Sequence, residues 1–291
     1  MLTTIETTLS ALEALGMSEA EKREKFIKAL IADINNGKSK LSYSSFSKFK
    51  RSPNAFINYK MRTFETTDSM LLGQLVHAMV LQPETVKDTF YTDSDKIKEI
   101  GGASPRSTKA YKEWKSQQIA KYPNKSLVSA DMFALAERMA NSVLNNRAAK
   151  QILEKIHQTE YKIEFDYEGL KFVSYLDGIG EIILDLKICA DADPRKFQRD
   201  IIFQNYHLQS GIYTTAAGEI LPYYIIAVDR ECEVSVHHLM EDLVMKGISI
   251  FENLVREFKQ CLKSGNFHES FEYRAYTEEG VYKMDVPPYL N

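Results

Sequence analysis

The 291-residue chain balances 37 lysines and arginines against 40 aspartates and glutamates, a formal net charge of −3, and is 44% hydrophobic and 26% charged. This composition excludes a disordered chain, a collagen-like rod and a coiled coil, and predicts one large folded domain with helical additions. The slightly acidic balance argues against a protein that coats nucleic acid through overall charge, so a nucleic-acid surface would need local basic clusters.

The longest apolar runs, 70–81 and 221–228, fall short of the roughly 20 residues needed to cross a bilayer, and no membrane association is expected. The first residues, MLTTIETTLSALEALGMSEAEK, lack the basic n-region of a secretory signal, which predicts a cytoplasmic protein. Cys189, Cys232 and Cys261 form no CxxC pair and read as reduced core residues.

Residues 5–36 read as two helices, a helical extension 1–36 ahead of a main domain 37–291. Phe26, Ala29, Leu30 and Ile34 recur at helical spacing, and Ser18 with Glu21 makes a possible capping box. The next stretch, GKSKLSYSSFSKFKR (37–51), holds five basic side chains and no acidic one, interleaved with Tyr43, Phe46 and Phe49. It suits a phosphate-contacting surface through Lys48, Lys50 and Arg51, and equally a solvated helix face. Residues 70–81 predict a buried helix closed by Gln82-Pro83, with His77 its odd polar member. Residues 89–125 turn polar, and 106–125 carry six basic residues against one Glu. This is a second candidate basic surface, with Arg106 and Lys109, or a mobile loop leading into a helix. Helices are predicted over 129–145 and 148–157. The period then changes to strands at 161–167, 170–176 and 181–188, a meander with its second turn at Gly178 to Gly180. A helix over 197–215, strands over 223–229 and 233–238, and a closing helix over 241–263 complete an α/β pattern.

Asp177 precedes Asp185-Leu186-Lys187 by eight residues. Within a strand Asp185 and Lys187 project from one face, and a hairpin brings Asp177 beside them. Burying such charges in EIILDLKICA is costly unless a metal or partner compensates, and magnesium suits oxygen ligands that also face a phosphate. Carboxylates would hold the ion while Lys187 positions or activates the attacking water. Taken alone, Asp-x-Lys is a weak pattern that a structural ion pair also satisfies. Gln209 and Tyr213 share a helix face at i, i+4, and Gly73 lies one turn before His77, whose imidazole can ligate a metal.

The ordered set Gly73-x3-His77, Asp177, Asp185-x-Lys187 and Gln209-x3-Tyr213 resembles the RecB-type branch of the PD-(D/E)XK nucleases, and more narrowly the RecE-type (exodeoxyribonuclease VIII) nuclease domain. LLGQLVHAMVLQPE, LSYSSFSKFKRSPNAFINYK and YHLQSGIY carry the likeness, which covers about residues 41–260. The resemblance implies a restriction-endonuclease-like α/β core, a central mixed β-sheet flanked by helices. It makes Asp177 and Asp185 the principal metal ligands with His77, Lys187 the catalytic lysine, and Gln209 and Tyr213 groups that orient the site or touch the DNA backbone. A further glutamate is expected at Glu160, with Glu164 as competitor. The implied activity is a Mg2+-dependent (Mn2+ substituting) exonuclease that degrades linear double-stranded DNA 5′ to 3′ and leaves 3′ single-stranded tails for recombination. A phage or prophage origin, a single-strand annealing protein as partner and a ring-shaped homo-oligomer, trimer or tetramer, are implied with it. Two departures stand out. Val173-Ser174-Tyr175-Leu176-Asp177 lacks the arginines that the family shows before its aspartate. Ser52-Pro53 replaces a Cys-Pro, so no iron-sulfur cluster is expected. An endonuclease on the same core and a non-catalytic DNA-binding scaffold remain alternatives.

Overall fold

Ser18 starts the first described helix. Its side chain accepts the Glu21 N–H while the Glu21 carboxylate accepts the Ser18 N–H and hydroxyl, a complete capping box ahead of α1 (Glu19–Asn35). The computed structural model describes residues 17–270, so the expected helix ahead of Ser18 lies outside the described residues. The apolar stripe of α1, Phe26, Ile27, Leu30 and Ile34, is buried in the same cluster as Phe46, Phe172 and Phe251 of the main domain.

The basic stretch becomes α2 (Tyr43–Arg51), and Ser52, extended, caps α3 (Pro53–Met61). Phe46 and Phe49 are fully buried against Phe56 and Phe258, so the aromatics between the lysines serve the core and not a nucleic-acid surface. The predicted buried helix is α4 (Asp68–Leu81), which a short 3-10 turn (Pro83–Thr85) connects to α5 (Val86–Thr89).

The polar stretch is more ordered than its composition predicts. It holds β1 (Phe90–Thr92), α6 (Ser94–Ile100), α7 (Lys109–Lys121) and β2 (Ser126–Val128), with β1 and β2 paired in parallel. Asp93, fully buried, ties it down: it accepts bonds from Arg106 (2.7 and 3.2 Å), the Tyr111 hydroxyl (2.8 Å) and the Ala130 N–H (2.9 Å). Next come α8 (Ala130–Asn145), which packs on α4, and α9 (Arg147–Leu153).

The central sheet has the order β3-β4-β5-β6-β7: β3 (Ile156–Tyr167), β4 (Leu170–Gly180), β5 (Ile183–Ile188), β6 (Tyr223–Val228) and β7 (Val234–Leu239). All neighbours are antiparallel except β5 and β6, which makes the sheet mixed. The parallel pair requires a crossover, supplied by α10 (Pro194–Phe203) and α11 (Tyr206–Ala217). After β7, α12 (Glu241–Ser264) packs against α11. One face of the sheet, with Phe172, Leu176, Ile183 and Ile225, joins α1, α2, α11 and α12 in one core; the other, with Leu184, Leu186 and Ile226, joins α4, α8 and α9 in a second.

Three boundaries differ from the sequence reading. β3 begins at Ile156, so His157 is strand and Glu160 lies inside the strand, not before it. β4 runs through Gly178-Ile179-Gly180, and the chain reverses at Glu181-Ile182. Those glycines serve close approach to β3: a Cβ at Gly180 would sit 2.3 Å from the Lys155 carbonyl oxygen, and one at Gly178 3.0 Å from Ile156. The helix read over 197–215 is two helices, broken where Asn205 adopts the left-handed region (φ 62°).

Candidate active site

β4 and β5 pair only at Gly178–Leu184 and Ile179–Ile183, next to their turn. Beyond that point they separate, and further along β4 the strand is bridged by Leu41 instead. Asp177 stands at this fork. Its Oδ2 accepts the Leu186 N–H at 2.6 Å, a donor of β5 that the β4 ladder no longer satisfies. The registers place Glu160 of β3 opposite Asp177, because Thr159 pairs with Gly178 and Tyr161 with Leu176. They place Asp185 of β5 on the other side, one step past Leu184. Three carboxylates thus lie in one row across three strands.

His77 of α4 approaches from the side of the second core. Its Nδ1 is 3.7 Å from Asp177 Oδ1 and 3.8 Å from Glu160 Oε1, and one ligand atom from each of His77, Glu160 and Asp177 lies within 4.8 Å of the others. Burial alone would lower the His77 pKa, but Asp177 and Glu160 outweigh it and raise it. The imidazole here responds to negative charge, as a cation set between two carboxylates would. Glu160 holds a left-handed backbone (φ 49°), a strained state for a strand residue that disrupts the regular alternation where the cluster forms.

Across the fork, Asp185 is 1% exposed. Its Oδ1 accepts from Gln209 Nε2 (3.1 Å) and its Oδ2 is 2.7 Å from Lys187 Nζ. Burial pushes the Asp185 carboxyl up; Lys187 is also raised, because Asp185 and Asp177 outweigh its own burial. The ammonium of Lys187 therefore stays charged, 4.9 Å from the Tyr206 ring centroid. Tyr213, nearly buried, feels the same charges, and its hydroxyl is held protonated first by burial and then by Asp185.

The structure thus brings His77, Glu160, Asp177, Asp185, Lys187, Gln209 and Tyr213 to one fork. Glu160, His77 and Asp177 converge closely enough to share an ion, and Asp185, the other expected ligand, contacts Lys187 and Gln209 beside them. Glu164 lies on the surface between Lys40 and Lys162, away from the cluster. Of the expected DNA contacts, Lys50 is bonded to Asn205 and Arg106 is taken up by Asp93 and Asp131 (2.9 Å), so both serve the fold. Lys48 and Arg51 line a surface cavity of about 360 Å³ with Arg62, and Lys109 is exposed beside Glu113. Tyr43 and Tyr206 were not among the expected site residues. Both feel Lys187, and Tyr43, whose hydroxyl donates to the Gln204 carbonyl (2.9 Å), braces the α10–α11 junction. The position of Tyr206 one turn before Gln209 was the signal that could have found it.

An imidazole and two carboxylates converging from a helix and two strands form a donor set that fits a divalent cation. Residues 42–277, most of the chain, match the family model described as PDDEXK-like domain of unknown function (DUF3799). The chain belongs to this PDDEXK-like family. A solved structure described as a "putative exonuclease" from Eubacterium rectale is similar, with a TM-score of 0.55 and 13% identity over 87% of this chain and 92% of that one. At that identity the likeness establishes the shared fold. No curated protein matches the chain. No helix among the described residues is long and apolar enough to cross a membrane. Family, fold and site together support a nuclease.

Proposed function

We propose that the chain is a magnesium-dependent deoxyribonuclease of the RecE type, degrading linear double-stranded DNA from its 5′ ends to leave 3′ tails for recombination. The observation that carries the nuclease reading is the row Glu160–Asp177–Asp185, flanked by His77 on one side and Lys187 on the other. Glu160, Asp177 and His77 would hold Mg2+, or Mn2+ in its place. The bound cation supplies charge stabilisation at the scissile phosphate and a more acidic water. Lys187, kept cationic by Asp185, positions the attacking water and faces the charge that develops on the phosphate. Gln209 fixes the Asp185 carboxylate, so the lysine is aimed by a pair it does not have to assemble during the reaction.

Exonuclease action, 5′ polarity, the single-strand annealing partner and a ring-shaped trimer or tetramer rest on the motif resemblance. The Eubacterium rectale protein that shares the fold carries the description "putative exonuclease", in keeping with that reading. Digestion of a linear duplex labelled at the 5′ or 3′ end, with a covalently closed circle alongside, tests the proposal. Loss of 5′ label with Mg2+ and an intact circle is expected. Lys187→Ala should lower the rate by on the order of 10²–10³-fold while Mn2+ still binds. Cutting of the circle would point to an endonuclease, and DNA binding without cleavage in either metal to a scaffold.

A further inference from the structure

Glycine in a helix interior destabilises it relative to alanine, so each such position calls for a reason. The described helices hold three. Gly211 of α11 and Gly247 of α12 are explained by packing: a Cβ at Gly211 would sit 2.2 Å from the Gly247 carbonyl carbon, and one at Gly247 1.9 Å from the His207 carbonyl oxygen. Gly73, the sixth residue of α4, has no such reason. A Cβ there meets nothing within 4 Å, and its φ is an ordinary helical one.

What Gly73 does border is a cavity of about 520 Å³ that begins at the metal-ligand cluster. His77 and Glu160 form one wall, and Gln74, Gln82, Thr85 and Thr89 supply much of the rest. Away from His77 and Glu160 the described lining residues carry no charged side chain, so that part of the cavity offers no counter-charge for a phosphate. Its amides and hydroxyls suit a neutral, hydrogen-bonding body, and its volume lies within the ~300–1,000 Å³ of ligand-binding pockets. Gly73 is one helical turn from His77 on the same face, so it opens the wall beside the ion-binding atoms.

We infer that this cavity is the subsite for the sugar and base of the nucleotide whose phosphate is cut, and that Gly73 is a specificity-determining residue. Its missing side chain lets that nucleotide approach the backbone of α4. The inference rests on the nuclease reading. The scissile phosphate lies at the cluster, the nucleoside leaves the base stack and enters the neutral cavity, and Gln74 and Gln82 meet its polar edge. This makes access to an unstacked nucleotide, most readily found at a DNA end, a requirement of the site.

The test uses the full-length chain, wild type beside Gly73→Ala and Gly73→Leu. Thermal unfolding, Mn2+ binding by calorimetry, and cleavage of linear duplexes that end in a normal or an abasic nucleotide are measured. Both variants should unfold no lower than wild type and bind Mn2+ as it does. On normal ends kcat/KM should fall by on the order of tenfold for Gly73→Ala and further for Gly73→Leu. On abasic ends the gap between wild type and Gly73→Leu should narrow. Wild-type kcat/KM in Gly73→Leu, or destabilisation of Gly73→Ala, overturns the inference while leaving the nuclease reading in place. A wild type that binds Mn2+ and cuts neither duplex overturns the nuclease reading and this inference with it.

Discussion

Asp93 and Arg106 show how a single carboxylate can change the meaning of a basic residue. By composition, Arg106 begins a run that looks like a nucleic-acid surface; in the fold it closes a bidentate bond on a carboxylate with no access to water. Asp93→Ala removes the acceptor of Arg106, Tyr111 and the Ala130 N–H together. At ~0.5–1 kcal/mol net per bond, the four bonds give an expected loss of about 2–4 kcal/mol, read as a lower denaturation midpoint with Mn2+ binding unchanged. Burial pushes the Asp93 carboxyl up, but the bonds from Arg106, Tyr111 and the Ala130 N–H overcome it and leave its pKa lowered. A depressed folded pKa gives stability that is complete above the unfolded value of about 3.9 and is lost as pH falls through the folded value. Acid unfolding of the wild type should therefore show a loss of stability below about pH 4 that Asp93→Asn lacks. Identical curves would assign the bonds no net weight.

Among the elements, the contact of α11 with α12 carries the site. Gly211 and Gly247 let the two helices touch through their backbones, and α11 presents Gln209 to Asp185. In Gly247→Ala the new methyl meets main-chain atoms, which cannot rotate away, so the helices must part. A cost of ~1–3 kcal/mol is expected in chemical denaturation, with a fall in nuclease rate from the displaced Gln209. Unchanged stability would mean that the helices slide without penalty. The sequence revealed these elements to the extent that their periodicity was long: α4, α8, α12 and the five strands of the central sheet were all legible. The break at Asn205 was not, because Phe197 and Ile201 continue a helical apolar stripe into Leu208 and Ile212, and only a left-handed residue between them reveals the bend. β1 and β2, three residues each, are too short to show a period. The candidate site was legible as a set of residues and not as an arrangement. Spacing gives Asp177, Asp185 and Lys187, but Gly178 and Gly180 imitate a turn signal while serving the approach of β3. Glu160 enters the cluster with a left-handed backbone that composition does not encode.

At the scale of the molecule, the sheet is a wall between two hydrophobic cores. The candidate ion ligands come from both sides of the wall's split: His77 from a helix of the second core, Glu160 and Asp177 from strands whose apolar neighbours build the first. A divalent ion held there ties α4 to β3 and β4. Ligand binding to the folded state alone stabilises it by about 2.7 kcal/mol at a hundredfold excess over Kd. Mn2+ or Mg2+ should therefore raise the unfolding temperature of the wild type. The rise should be lost in Asp177→Asn, and its persistence there would move the ion to other ligands. Since β4 and β5 share only two paired positions beside their turn, the sheet is by its hydrogen bonds two ribbons, β3-β4 and β5-β6-β7, joined at one end in the manner of a clothes-peg. Beyond Gly178 what spans the gap is the Asp177 carboxylate on the Leu186 N–H, so one side chain stands where the rungs of a ladder would otherwise run.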